Sequence, residues 1–130
     1  MKHTLEELIA DPVKTRVALA ELLGARWIDI EFGLRLITMR GDDPRDSYSV
    51  AWPVKAGDVA FSPTVPNWPL DLNAVAEVVG AMDQRNYDCY LYTLCGGYDW
   101  RTVDPRTITE ATAHQRSAAA VLALQERRER

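Results

Sequence analysis

Hydrophobic positions near the start of the chain recur at helical spacing. Thr4-Leu5-Glu6-Glu7 matches a capping box, in which a threonine hydroxyl and a glutamate satisfy the first backbone N–H groups of a helix. Asp11-Pro12 is a second start signal, because aspartate caps a helix and proline fits its first turn. Gly24 then suits a left-handed C-cap. We predict a first helix that ends at Leu23, with or without a kink at Pro12.

Alternation of polar and apolar residues predicts strands in the next part of the chain. Arg26–Glu31 and Leu34–Arg40 each alternate with a period of two, and Gly33 between them marks a turn or a bulge. Gly41–Asp46 has the composition of a turn. Tyr48–Val54 predicts a third strand, and its proline places it at a sheet edge or makes it a strand end.

The main irregular stretch covers residues 55–69. Its last part, from Phe61 to Pro69, is rich in proline, which is excluded from helix interiors and from the middle of a sheet. This part also carries two large aromatic residues, Phe61 and Trp68. We expect a semi-rigid loop here.

A second helix is predicted after Asp71, which serves as its N-cap. Leu70, before the cap, is expected to pack on Val75 as a hydrophobic staple. The apolar stripe that would face the core consists of Leu72, Val75, Ala76, Val79 and Met82.

The last third of the chain predicts a strand pair and a helix. Tyr87–Cys95 alternates and has few charges on either face, which is typical of a central strand covered on both sides. Gly96-Gly97 predicts a hairpin turn, so Tyr98–Val103 would return antiparallel. An alanine-rich helix is expected from Thr107 to Glu126, with a frayed, charged end over 126–130.

The length of 130 residues fits one domain, and a hydrophobic fraction of 47% is enough for a packed core. The order of the predicted elements separates runs of antiparallel strands by helices. We therefore predict a single α+β domain over 1–130. It would be an αβα-type sandwich, with helices packed on a mostly antiparallel sheet of about four or five strands.

The two predicted helices of the second half resemble a known family. Pro66–Val79 has a proline and an aromatic residue before a polar turn, and then a helix that alternates Ala, Val and Glu. Thr109–Leu124 reads like a closing helix of the pattern Thr-x-x-x-Ala-x-x-x-Ala-Ala-Leu-Leu, and Leu22-Gly24-Trp27 fits an initial helix followed by a tryptophan. These motifs resemble small bacteriophage proteins with the phage ABA sandwich domain, over about residues 13–124. The resemblance implies an αβα sandwich and a phage or prophage origin. It implies no activity and no site residues.

Charge and hydropathy narrow the function classes. The net charge of −4 argues against direct nucleic-acid binding, which usually depends on a basic surface. The polar start is unlike a signal peptide, and no run approaches the ~18 apolar residues of a membrane span. Cys89 and Cys95 would lie about 20 Å apart on one strand, too far for a disulfide, and are interpreted as reduced core residues. We expect a cytoplasmic protein, in a bacterial host.

No catalytic or metal-binding constellation is evident. His3 and His114 lack the companions of a zinc site, and Asp42, Asp43 and Asp46 have the composition of a turn rather than of a cation-binding loop. No serine stands in a nucleophile-elbow context. We therefore predict no catalytic residues, no metal and no cofactor.

Aromatic residues crowd the second half of the chain. Trp, Tyr and Arg are enriched at protein-binding hot spots, and the aromatic ones also stack on bases or nucleotides. The sequence favours a core role for Tyr90 and Tyr92 and leaves core or interface open for the loop aromatics. The candidate binding residues are Phe61, Trp68, Tyr98, Trp100, Arg101 and Arg106.

Three functions remain open at this point. The first is a non-enzymatic phage or prophage accessory protein that binds a host or viral protein, one version being an inhibitor of a defence system such as CRISPR-Cas. The second is a small-ligand or nucleotide binder with an aromatic pocket. The third is a degenerate enzyme.

Overall fold

The computed structural model describes residues 2–29, 35–39, 54–56, 59–62 and 64–128. The chain divides into two compact units. One consists of Met1–Leu19 with Asn67–Arg130, and the other of Ala20–Pro66. The single domain over 1–130 stays a prediction.

The first two helices follow the signals in the sequence. Helix α1 spans Leu5–Ala10, and the Thr4 hydroxyl accepts a hydrogen bond from the backbone N–H of Glu7 at 3.3 Å. Helix α2 spans Pro12–Leu22, and the Asp11 carboxylate caps it. The predicted helix is therefore confirmed, but Pro12 divides it in two because a proline at the first helical position starts a new helix.

Four further α-helices and two 3₁₀ turns make up the rest of the larger unit. The helices are α3 (Leu72–Gly80), α4 (Gln84–Leu94), α5 (Arg106–Thr109) and α6 (Ala113–Arg128), and the 3₁₀ turns are Trp68–Leu70 and Trp100–Thr102.

Helix α6 is the centre of this unit. It packs against α1, α3, α4 and the Trp68–Leu70 turn. Every residue from Ser117 to Val121 is buried, so the helix is covered around most of its circumference. Five of the buried residues of α6 are alanines: Ala113, Ala118, Ala119, Ala120 and Ala123. Small side chains let neighbouring elements approach the helix axis closely, which explains the alanine-rich composition.

Helix α4 occupies the segment that was predicted to be the central strand, so that prediction is wrong. The Asp83 side chain accepts from the backbone N–H of Asn86 at 2.8 Å and caps the helix. At the other end, Gly96 and Gly97 have φ angles of 70° and 93°. Gly97 N donates to the Tyr92 carbonyl and Gly96 N to the Thr93 carbonyl, which is a Schellman motif. The two glycines therefore end a helix and do not form a hairpin turn.

The returning strand predicted for Tyr98–Val103 is also wrong, because this segment contains the Trp100–Thr102 turn. The alanine-rich helix predicted from Thr107 to Glu126 is two helices. Thr112 and Gln115 form a reciprocal capping box at the start of α6, with backbone-to-side-chain distances of 2.9 and 3.1 Å. Arg116 then donates to the carbonyls of Ala111 and Ile108 at the end of α5.

The Asp71 cap of α3 is confirmed, since its carboxylate accepts from the N–H groups of Asn73 and Ala74. The predicted staple is wrong, because Leu70 is 80% exposed while Val75 is buried. The predicted stripe faces the core only in part: Val75 is buried and Val79 and Met82 are half-buried, but Leu72 and Ala76 are exposed.

The smaller unit contains a mixed sheet of four short strands. They are β1 (Arg26–Asp29), β2 (Arg35–Thr38), β3 (Val54–Ala56) and β4 (Val59–Phe61). The sheet order is β1-β2-β4-β3, in which β2 and β4 are parallel and the other two pairs antiparallel. The first two predicted strands are confirmed in part. The predicted turn over Gly41–Asp46, Gly33, and most of the strand Tyr48–Val54 lie outside the described residues.

These elements overturn the predicted fold class. Most of the regular structure is helical, and the sheet is small and mixed, so the protein is not an αβα sandwich on a mostly antiparallel sheet of four or five strands. The error has one main physical source. The segment from residue 87 to residue 103 combines β-prone side chains with a Gly-Gly pair, and its caps make it a helix and a turn instead.

Candidate functional site

Two of the six predicted binding residues lie in the protein core. Phe61 ends β4, Trp68 begins the 3₁₀ turn that packs on α6, and each is only 2% exposed. Neither side chain can contact a partner unless the core rearranges, so both leave the candidate site. In the sequence, neither the size of Phe61 and Trp68 nor their place in a proline-rich segment distinguishes a core residue from a surface residue.

Three other predicted residues come together in one cleft. Tyr98, Trp100 and Arg101 line an open cavity of about 320 Å³. Asp88 and Tyr92 from α4, with Asp99, complete the lining. These six residues are called the aromatic cleft below.

Helix α4 supplies one wall of the aromatic cleft. Asp88 and Tyr92 are four residues apart, so they lie on the same side of the helix, and both are exposed. The opposite side carries Asn86 and Tyr90, which are buried in the unit where α4 packs on α6. The Gln84 amide donates to Asp88 at 2.9 Å, and this bond orients the carboxylate.

After α4 the chain reverses direction, and residues 98–101 form the second wall of the aromatic cleft. Because Gly96 and Gly97 adopt positive φ angles, the chain turns sharply at the end of the helix. The Tyr92 hydroxyl lies only 3.6 Å from the place that a Cβ on Gly97 would take. That distance is an ordinary van der Waals contact, so the positive φ of 93°, and not a lack of space, favours glycine at this position. The next residue, Tyr98, enters the cleft.

Asp99 fixes the turn that presents Trp100 and Arg101. Its carboxylate accepts from the Arg101 N–H at 2.9 Å, and its carbonyl accepts from the Thr102 N–H at 2.9 Å. The Thr102 hydroxyl donates to the same carbonyl at 2.8 Å. These bonds tie the 3₁₀ turn at both ends, so the two large side chains project from a defined backbone.

The guanidinium of Arg101 is placed over an aromatic ring and beside a carboxylate. Its Cζ lies 5.6 Å from the centre of the Trp100 ring, and its Nε lies 3.3 Å from Asp99 Oδ1. The cleft therefore contains one cation between two carboxylates, those of Asp88 and Asp99. Its charge excess is negative, in keeping with the net charge of −4.

The aromatic rings of the cleft are exposed to an unusual degree. Tyr92 is 57% exposed, Tyr98 68% and Trp100 47%. Isolated apolar residues on a surface need no explanation, whereas three large aromatics around one cleft make it the candidate site for binding.

Arg106, the sixth predicted residue, lies apart from the aromatic cleft at the start of α5. Its Nη2 lies 3.0 Å from Asp104 Oδ2, and its backbone N–H donates to Asp104 Oδ1. The Arg106 side chain holds the pKa of the Asp104 carboxyl below its ordinary value. Asp104 thus neutralises the arginine locally, and Arg106 does not line the cleft.

Sequence reasoning missed Asp88 and Tyr92, because it placed both on a strand. The signal that would have found them is the pair of caps, Asp83 before the segment and Gly96-Gly97 after it. Residues 88 and 92 share a face in a strand as well as in a helix, but the helix places Tyr90 on the opposite, buried side and leaves Asp88 and Tyr92 together at the surface.

His3 and His114 are both held by hydrogen bonds within the larger unit. His114 Nε2 lies 2.7 Å from the Leu8 carbonyl, and the Gln125 amide exchanges two hydrogen bonds with the backbone of His3. Burial, together with the nearby Asp99 charge, raises the pKa of the Cys95 thiol. Within the described residues no three His, Cys, Asp or Glu side chains gather at a possible metal site. No helix of the described part is both long and apolar enough to cross a membrane.

No protein-family model matches this chain, and no curated protein or solved structure is significantly similar to it. The resemblance to the phage ABA sandwich family therefore stays a prediction. The argument for function has to come from the geometry of the aromatic cleft.

Proposed function

We propose that this chain is a non-enzymatic binding protein that uses the aromatic cleft to recognise another protein. The observation that supports this most strongly is the exposure of Tyr92, Tyr98 and Trp100 around one cleft. Tyr, Trp and Arg are the side chains that contribute most to protein interfaces. A cap and a Schellman motif hold the backbone beneath them, so binding orders little that is not already ordered.

The shape of the cleft favours a protein over a small molecule. Its volume of about 320 Å³ is at the lower limit of ligand pockets, which enclose most of the ligand surface. The cleft instead leaves its rings about half exposed. A protein surface can cover such rings completely, whereas a small ligand would remain largely in water.

The second candidate is a small-ligand or nucleotide binder, and the stacked placement of rings and guanidinium is the observation in its favour. The charge of the cleft opposes a phosphate group, because Asp88 and Asp99 both line it. A thermal-shift screen with nucleotides tests this candidate. A ligand at 100 times its Kd would add about 2.7 kcal/mol to the unfolding free energy, and the melting temperature would rise measurably.

The biological version that we favour is a phage or prophage accessory protein that acts on a host or viral protein in the bacterial cytoplasm. Inhibition of a defence system such as CRISPR-Cas is one form of it. The resemblance of two helices to phage proteins supports the origin, and the acidic charge supports a partner with a basic surface.

Quantitative affinity capture from a bacterial lysate tests the proposed function. The wild-type chain, Tyr98→Ala and Trp100→Ala are compared with Leu70→Ala, which removes an apolar side chain outside the cleft that is more exposed than either aromatic residue. We expect a stoichiometric partner that the wild type and Leu70→Ala retain and that both cleft variants lose. A partner that all four proteins retain equally would place the interface elsewhere.

A further inference from the structure

We propose that the aromatic cleft binds the guanidinium of an arginine side chain on the partner, and that Arg101 holds this position while the partner is absent. This inference rests on the proposed function and adds the chemistry of recognition. The partner arginine would displace the Arg101 side chain from the Trp100 ring and from Asp99.

The residues that line the cleft suit a cation. Tyr92, Tyr98 and Trp100 present aromatic faces, which attract cations through the ring quadrupole, and tryptophan does so most strongly. Asp88 and Asp99 add two carboxylates, which bond to a guanidinium through charge-assisted hydrogen bonds. An anionic group would meet both carboxylates at close range, so the cleft selects against it.

Arg101 shows where the cation would lie. Its guanidinium stands 5.6 Å above the Trp100 ring and contacts Asp99 at 3.3 Å. This is the pair of contacts that an incoming arginine needs, a ring face and a carboxylate edge. The cleft of the unbound chain therefore already holds the functional group that we expect it to recognise.

The internal arginine is easy to displace. Its side chain is 72% exposed and that of Asp99 51%, so the ion pair is largely hydrated and contributes little stability. Nε of Arg101 contacts one carboxylate oxygen of Asp99. An arginine that arrives from outside can present its whole planar fork to Asp88 or Asp99.

Arginine fits better than lysine for two physical reasons. A guanidinium is planar and weakly hydrated, so it stacks on a ring at a small desolvation cost, whereas an ammonium ion is compact and strongly hydrated. Two carboxylates also match the fork of donors on a guanidinium better than a point charge.

The test uses the full chain and three matched peptides. The peptides are acetyl-Gly-Ser-Arg-Gly-Ser-amide and its lysine and citrulline counterparts, citrulline being the neutral isostere of arginine. Binding is followed through the indole N–H resonance of Trp100, which is assigned from the spectrum of Trp100→Phe. We expect the arginine peptide to bind with a millimolar Kd, the lysine peptide more weakly and the citrulline peptide at least roughly tenfold more weakly.

Two variants separate this mechanism from simple stacking. Asp88→Asn should weaken binding of the arginine peptide by roughly threefold or more, since a carboxylate is lost. Arg101→Gln should tighten binding by roughly threefold to tenfold, because the internal competitor is removed. Arg106→Gln is the matched control: Arg106 also pairs with an aspartate two residues before it, but outside the cleft, and binding should not change.

The peptide titrations and the capture experiment can fail independently of each other. Equal affinity for the arginine and citrulline peptides, or no shift of the Trp100 signal up to millimolar peptide, would overturn the arginine inference. Weaker binding by Arg101→Gln would overturn the displacement, because Arg101 would then be a direct contact. In each case a partner that is lost from Tyr98→Ala and Trp100→Ala would still support the proposed function.

Discussion

The imidazole Nε2 of His114 donates a hydrogen bond to the Leu8 carbonyl at 2.7 Å, although the two residues are 106 positions apart in the chain. Because a carbonyl only accepts, Nε2 must carry the proton. The Thr15 hydroxyl donates to the same oxygen at 2.6 Å. Leu8 lies in the last turn of α1, where carbonyls lack the usual helical partner, and its carbonyl also accepts from the N–H of the C-cap residue Asp11 at 3.3 Å. One buried oxygen thus joins α1, α2 and the start of α6.

His114→Ala should lower the unfolding free energy by about 1–3 kcal/mol, because the Leu8 carbonyl loses one of its donors in a partly buried place. Thr15→Val should have a cost in the same range. Both losses are measured by urea unfolding. The double variant should not equal the sum of the single ones, since both donors serve one oxygen. Additive effects would show that the two donors act independently, and an unchanged midpoint for His114→Ala would show that its hydrogen bond contributes nothing.

Thr112→Ala should destabilise the protein by about 1 kcal/mol, because it removes the hydroxyl of the capping box that starts α6. Thermal unfolding followed by circular dichroism measures the change. Thr107→Ala is the control, since Thr107 lies inside α5 and caps no helix, and its effect should stay within about 0.5 kcal/mol. Equal effects of the two substitutions would mean that the cap is unimportant.

Gly96→Ala should destabilise the chain by about 1–2 kcal/mol, because its φ of 70° is in the left-handed region where a Cβ is strained. Gly80→Ala is the matched control. Gly80 lies in α3 and a Cβ there meets no atom within 4 Å, so this substitution should be neutral or stabilising. Urea unfolding compares the two variants. A destabilised Gly80→Ala beside an unaffected Gly96→Ala would contradict the Schellman end of α4.

The Cys95 thiol should resist modification at pH 8, because burial raises its pKa above the ordinary 9.0 and blocks access. A thiol reagent should label Cys95 only after denaturant is added, as read out in a Cys89→Ser background. A raised folded pKa also fixes the sign of the pH dependence. The contribution of this thiol to stability is complete below pH 9.0 and is lost as the pH rises through the folded value. Rapid native labelling would place Cys95 at the surface.

Local signals predicted part of this fold correctly. The caps at Thr4, Asp11 and Asp71 each start a helix where the sequence indicated one, because a cap depends on only a few neighbouring residues. The prediction at α4 failed because its tyrosine, leucine and threonine residues alternate as those of a strand do. The Asp83 cap and the Schellman motif at Gly96-Gly97, which bound the segment, indicate the helix that forms.

The residues of the candidate site were also predicted only in part. Tyr98, Trp100 and Arg101 lie together in the cleft, as loop residues in a short stretch of chain can. Phe61 and Trp68 share their chemistry but are buried, and composition cannot distinguish the two situations. A strand covered on both sides would bury Asp88 and Tyr92, whereas the helix buries Tyr90 on its opposite side and leaves both of them exposed.

The burial of consecutive positions in α6 has a consequence for how this protein can change over evolutionary time. From Ser117 to Val121 no residue has a face open to water, so a larger side chain at any of them would collide with a neighbouring element. Substitutions there must be rare and small, while the cleft side chains can be exchanged freely at the surface. Homologues of this protein should therefore share the small buried residues of α6, whereas the cleft residues, which select the partner, should differ between homologues with different partners.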